Sequence, residues 1–246
     1  VTHWISFVRP QPKPHIVAAL SDKDGGVHFA PRHVIFDLDG TLLDSSEGIV
    51  NSFRATLDEL GMGADEDQLR HLIGPPLWHS FRVLGVEAPF VDEAVALYRR
   101  HYAAFGVFEA TVYPGIHEVL QEMHATGIAL GVATAKRVDF ATQMLGAHHL
   151  AEYFDIIAGA SVDLVVSEKY DIIDEALRHW GEKGSSAIWM IGDRRYDVEA
   201  AKRHGLTTIG VTWGFGSDTE LLECGADALA RVPRDLLGPA WREEQE

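Results

Sequence analysis

Val34-Ile35-Phe36-Asp37-Leu38-Asp39-Gly40-Thr41-Leu42-Leu43-Asp44 is the stretch that decides the fold. Two β-branched residues and a phenylalanine run directly into a carboxylate, the pattern of a short buried strand that delivers Asp37 to a sheet edge. Open α/β sheets bind their ligands at the carboxyl ends of such strands. A calcium loop of the EF-hand kind needs its glycine at the sixth position and helical flanks. Here Gly40 is fourth, counting from Asp37, and the flank reads as a strand, so that alternative is set aside.

Further out, similar apolar runs recur at residues 128–133, 156–158, 187–191 and 208–211. Helical patterns lie between them. Ile116, Val119, Leu120 and Met123 follow Pro114-Gly115, and Ile172, Ile173, Ala176, Leu177 and Trp180 share one helical face. The alternation predicts an α/β fold: a Rossmann-like, mostly parallel sheet with helices on both faces.

Residues 46–113 break the alternation. Ile49, Phe53, Leu57 and Leu60 fit a helix capped by Ser45 and Ser46 and stopped by Gly61. Val91, Val95, Tyr98, Tyr102 and Phe105 form the stripe of a second long helix, with short helical pieces at 69–73 and 77–84 around Gly74-Pro75-Pro76. The expected division is a helical cap domain at 46–113, inserted into an α/β core domain of residues 32–45 and 114–246. Residues 1–31 form an N-terminal extension in which Pro10, Pro12 and Pro14 favour extended backbone and Asp24-Gly25-Gly26 favours a turn.

Composition narrows the function classes. Of 246 residues, 46% are hydrophobic and 24% charged, enough apolar material for a core and inconsistent with general disorder. With 21 Lys and Arg against 37 Asp and Glu, the net charge is −16, so neither a nucleic acid polymer nor an anionic membrane surface is an expected partner. A small anionic substrate stays compatible, because a metal ion supplies positive charge locally. One cysteine, Cys224, cannot make an internal disulfide, no apolar run approaches ~18 residues, and no basic-then-apolar start is seen. A cytoplasmic setting is the expectation.

A second acidic cluster, Gly192-Asp193-Arg194-Arg195-Tyr196-Asp197, also follows an apolar run. Hard oxygen donors of this kind suit Mg²⁺. Capping of the next helix by Asp193 or Asp197 is the plainer alternative, and the pairing with Asp37 and Asp39 favours chemistry. Val132-Ala133-Thr134-Ala135-Lys136 brings a hydroxyl and backbone N–H groups to a third strand end, where a phosphate can be held. Lys169, just before a helix expected to begin near Asp171, is a candidate cation. Lys136 is its rival, and spacing alone does not separate them.

Taken in order, these residues resemble the haloacid dehalogenase-like hydrolases, and specifically their phosphoglycolate phosphatase-like branch with a helical cap. The resemblance spans residues 33–237. Asp37-Leu38-Asp39-Gly40-Thr41 is similar to the first motif, Thr134 falls on the second, Lys169 on the third, and Gly192-Asp193 with Asp197 on the fourth. Tyr170 departs from the pattern, since many relatives carry a small residue or proline after the lysine.

The resemblance implies that Asp37 attacks phosphorus to form an aspartyl-phosphate, while Asp39 protonates the leaving oxygen and later activates water. It implies Mg²⁺ held by Asp37, the Asp39 carbonyl and Asp193, with Asp197 acting from behind them. Thr134 and the Ala135 amide would hold phosphate oxygens, and Lys169 would stabilise developing charge. The implied activity is a Mg-dependent phosphomonoesterase for a small phosphorylated metabolite: phosphoglycolate-like, a nucleoside monophosphate or a sugar phosphate. A phosphomutase would keep both aspartates, so it stands as the alternative. A non-catalytic binding protein would not need the intact set. Arg54, Arg82, Arg99 and Arg100 are candidates for a second anionic group, against the plainer reading as solvated helix faces.

Overall fold

A computed structural model describes residues 20–21, 27–28, 31–74, 76–162 and 166–238. Strands β1 (Leu20–Ser21) and β2 (Val27–His28) pair antiparallel. The readings made for Pro10, Pro12, Pro14 and Asp24-Gly25-Gly26 lie outside the described residues.

β3 (His33–Phe36) ends immediately before Asp37, and β4 (Leu43–Asp44) follows the intervening loop. Then come four helices: α1 (Ser46–Glu59), α2 (Glu66–Arg70), α3 (Leu77–Val83) and α4 (Val91–Ala104). β5 (Thr111–Val112) returns to pair antiparallel with β4, so the helical segment leaves and re-enters through two adjacent strands. The chain continues through α5 (Ile116–Ala125), β6 (Ala129–Arg137), α6 (Val138–Ala147) and β7 (Ile156–Ala160). It finishes with α7 (Lys169–Trp180), β8 (Ile188–Gly192), α8 (Arg195–Arg203), β9 (Thr207–Val211), α9 (Asp218–Glu223) and β10 (Ala228–Ala230).

The main sheet has six parallel strands in the order β10-β9-β8-β3-β6-β7. Strand periodicity sorts the core. Val34 and Phe36 point to one side with Leu130 and Val132, where α5 and α6 bring Leu120, Met123, Met144 and Leu145. Ile35 and Ala133 point to the other, against Ile172, Ile173 and Ala176 of α7 and Ala200 and Ala201 of α8. Helices therefore cover both faces, as a parallel sheet requires. The first apolar cluster runs on without a break into the helical insertion through Phe53, Phe81, Tyr98 and Tyr102.

Several local expectations change. Ser45 does not cap α1 through its side chain; Oδ1 of Asp44 accepts from the Ser46 N–H at 3.0 Å instead. Phe105 leaves the α4 stripe because the helix ends at Ala104, and the residue is 67% exposed. β6 runs four residues past Ala133, with a register shift between Thr134 and Arg137, and α7 begins at Lys169 rather than near Asp171. No helix among the described residues is long and apolar enough to cross a membrane.

Candidate active site

Asp37 is placed by the sheet itself. Phe36 pairs with Val132 of β6 and Ile191 of β8, and the Asp37 N–H donates to the Ile191 carbonyl at 2.8 Å. β3 and β8 thus end side by side with Asp37 and Asp193 just beyond them, and Thr134 lies within β6 two residues past Val132, the partner of Phe36. Both neighbours of β3 come later in the chain and from different connections, so this is the point where the strand order reverses.

Carboxylate oxygens of Asp37, Asp193 and Asp197 lie within 4.8 Å of one another, and all three residues are buried. Lys169, at the first turn of α7, reaches into this group. Its ammonium lies 2.7 Å from Oδ1 of Asp37, 2.7 Å from Oδ1 of Asp197, and 2.8 Å from the Ala133 carbonyl it donates to. Lys136 goes elsewhere, to Oδ2 of Asp39 at 3.1 Å. The two lysines that spacing left as rivals are separated in space, Lys169 lying against Asp37 and Asp197 and Lys136 against Asp39.

Asp193 is held by its surroundings. Its Oδ2 accepts the Phe215 N–H at 2.7 Å, and its Oδ1 lies 3.4 Å from the Thr41 hydroxyl that donates to it. Gly40 sits beneath it at φ +81°, where a Cβ would collide with the Asp193 carboxylate. Both the left-handed backbone and the missing side chain are needed there. Trp213 Nε1–H donates to the Thr41 carbonyl at 3.0 Å, tying the loop after β9 to the loop after β3. Asp197 accepts the Arg194 N–H through Oδ2 at 3.1 Å, so it caps α8 and neighbours Lys169 at once. The two readings of Asp197 are compatible.

Thr134 is buried, and its hydroxyl accepts the Lys136 N–H at 3.2 Å, while Ala135 is exposed at the register shift. Arg54 pairs with Glu66 and Arg100 with Glu59, and Arg82 is exposed, as solvated helix faces would be. Tyr170, the departure from the motif, stacks on His204 with ring centroids 3.9 Å apart, and its carbonyl lies 2.9 Å from Nε2 of His204. That contact fastens the turn carrying Lys169 to the end of α8.

The electrostatics are those of a site short of positive charge. Burial pushes the Asp37 carboxyl up to about 7, with Lys169 opposing and Asp197 and Asp39 adding to the rise. Burial, then Asp197 and Asp37, holds Asp193 well above the usual carboxylate range. Burial alone would lower Lys169, but the carboxylates of Asp197 and Asp37 outweigh it and raise it. Three carboxylates face one ammonium, and an all-oxygen donor set of this kind fits a hard divalent cation. Oδ1 of Asp39 is a further buried oxygen with no hydrogen-bond partner.

Sequence reading missed the amide of Phe215, the Thr41 hydroxyl and the Asp39–Lys136 pair. It also missed Arg194, whose Nη1 donates to the Ile73 carbonyl at 3.0 Å while Nε donates to Glu220 at 3.0 Å. This side chain joins the loop after β8 to the α2–α3 connection of the helical insertion.

Comparison with known proteins agrees with the geometry. The family profile described as haloacid dehalogenase-like hydrolase matches residues 34–211. A 5'-nucleotidase of Pseudomonas aeruginosa is 38% identical over 193 residues, 77% of this chain and 86% of that protein. The tyrosine-protein kinase PtkA of Mycobacterium tuberculosis is 38% identical over 188 residues, 76% of this chain, and the match spans 64% of the kinase's length. Among solved structures, a haloacid dehalogenase-like family protein of Streptococcus pneumoniae superposes with a TM-score of 0.79 at 34% identity, covering 85% of this chain and 97% of the other. The chain belongs to the haloacid dehalogenase-like hydrolase family.

Proposed function

We propose that the protein is a Mg²⁺-dependent phosphomonoesterase acting on a small phosphorylated metabolite through an aspartyl-phosphate on Asp37. The observation that carries this reading is the convergence of Asp37, Asp193 and Asp197 around the Lys169 ammonium at the reversal point of a parallel sheet. The P. aeruginosa relative named 5'-nucleotidase and a relative from Halalkalibacterium halodurans named pyrophosphatase, 32% identical, support phosphate chemistry and a small substrate.

In this account Asp37 attacks phosphorus, displacing the alcohol, and Asp39 gives that alcohol its proton. Asp39 then removes a proton from the water that cleaves the acyl-phosphate, which restores Asp37 and releases phosphate. Thr134 and the Ala135 amide hold phosphate oxygens, and Lys169 keeps the Asp37 carboxylate oriented while offsetting charge on the phosphoryl group. Asp37, the Asp39 carbonyl and Asp193 would hold the cation, with Asp197 fixing Lys169 behind them. Bound there, Mg²⁺ neutralises the repulsion between an anionic nucleophile and an anionic ester. Residues 46–113 act as a cap domain over the core formed by 32–45 and 114–246, choosing the substrate and excluding water. The single cysteine and acidic composition support a cytoplasmic setting.

The identity to PtkA favours one further reading, transfer of the phosphoryl group to a tyrosine hydroxyl rather than to water. A phosphomutase would likewise pass the group to another alcohol. Phosphate release from a panel of nucleotide, sugar and carboxylic-acid phosphates, with Mg²⁺ and with chelator, tests the proposal. Mg²⁺-dependent release lost in Asp37→Asn supports it. Loss of substrate ester without free phosphate, followed by phosphorus NMR, points to transfer.

A further inference from the structure

Lys136 is buried between an aspartate of the core and a tyrosine of the helical insertion. Its side chain is 8% exposed, and its ammonium lies 3.1 Å from Oδ2 of Asp39. The same ammonium donates to the Tyr102 hydroxyl and sits 4.3 Å from the centroid of that ring. Tyr102 cannot easily move away. It is buried on α4, stacked on Tyr98 at 5.9 Å and packed against Phe140 at 5.6 Å. Its O–H donates to Sδ of Met144 at 3.4 Å, which turns an oxygen lone pair towards Lys136.

The consequence falls on Asp39. One of its oxygens is committed to Lys136, whereas Oδ1 is buried and has no hydrogen-bond partner. An unsatisfied buried carboxylate oxygen is costly and persists only where something holds it in place. We infer that Tyr102 is a positioning residue for Asp39: through Lys136 it pins Oδ2, leaving Oδ1 as the oxygen that exchanges a proton with the leaving group. The inference rests on the role proposed above for Asp39. Because Tyr102 belongs to α4, the pin exists only while α4 is seated against β6, so the acid is set when the helical insertion is docked.

The test is Tyr102→Phe, which removes the acceptor oxygen but keeps the ring, its stacking and its contact with the ammonium. Two substrates are compared: an alkyl phosphate, whose alkoxide needs a proton to leave, and p-nitrophenyl phosphate, whose phenolate does not. The expected result, read as the single-turnover rate of alcohol release so that the later water step does not enter, is a fall of about tenfold for the alkyl ester, a fraction of the ~10²–10⁴-fold that general acid catalysis supplies, with the half-saturating concentration and p-nitrophenol release changed by less than about twofold. Labelling of Lys136 by an amine-reactive ester, read by mass spectrometry, should rise several-fold in the same variant. Equal loss on both esters would mean a merely structural tyrosine and overturn the inference, as would unchanged protection of Lys136. Wild-type protein silent on both esters would instead contradict the phosphatase reading, and the labelling would then decide the Tyr102–Lys136 link by itself.

Discussion

The Lys169 ammonium lies 2.7 Å from Oδ1 of Asp37, joining residues 132 positions apart in the chain. A third group, Asp197, shares the same ammonium at 2.7 Å. Lys169→Met would leave both carboxylates buried with no cation, and stranding part of a buried ion pair costs about 3 kcal/mol or more. The variant should unfold at lower denaturant concentration at pH 8, recover part of the loss at pH 5, and lose at least about a hundredfold in turnover. Denaturation at the two pH values checks this, and a variant as stable as wild type at pH 8 would contradict it.

Raised carboxyls make metal binding pH-dependent. Asp37 moves from an ordinary 3.8 to about 7, so between those values the folded, metal-free protein holds a proton that the unfolded chain has released. Its contribution to stability is full below about 3.8 and lost as pH rises through about 7. Asp193, also raised, acts in the same direction. A divalent cation must displace these protons. The rise in Tm on adding Mg²⁺ should therefore be larger at pH 8 than at pH 5.5, and equal rises would contradict the crowded-carboxylate account.

Gly74 and Arg194 give a test of how the helical insertion meets the core. Gly74 has φ +110°, and a Cβ there would strike the Arg194 guanidinium. Gly74→Ala should cost about 2 kcal/mol, from backbone strain plus displacement of the guanidinium. In an Arg194→Ala background only the strain, about 1 kcal/mol, should remain. Denaturant titration of the four proteins measures the coupling. The same cost in both backgrounds would show that the guanidinium does not fill this space.

The legible parts of the molecule were those written in periodicity and punctuation. Five strands and the helices flanking them followed from apolar runs, and two of those runs lead into carboxylates, Asp37 directly and Asp193 after Gly192. β10 was not legible, because Ala228–Ala230 offers three small residues at a sheet edge. Neither were β4 and β5, two residues each, which recognise one another only across the whole insertion. Lys136 and Lys169 could not be told apart by spacing, since one lies within β6 and the other opens α7, and only the third dimension sends one to Asp39 and the other to Asp37. Periodicity placed Tyr102 on the buried stripe of α4 correctly. It could say nothing about the hydroxyl at the end of that ring, which faces Lys136.

The most direct test of the account is chemical trapping of the intermediate. Enzyme turning over its best ester is quenched in acid and reduced with borohydride, which converts an aspartyl-phosphate to homoserine, and the modified residue is located by mass spectrometry. The account predicts reduction at Asp37, dependent on Mg²⁺ and absent from Asp37→Asn. Steady turnover with no reduced residue, or with reduction at another carboxylate, would contradict it.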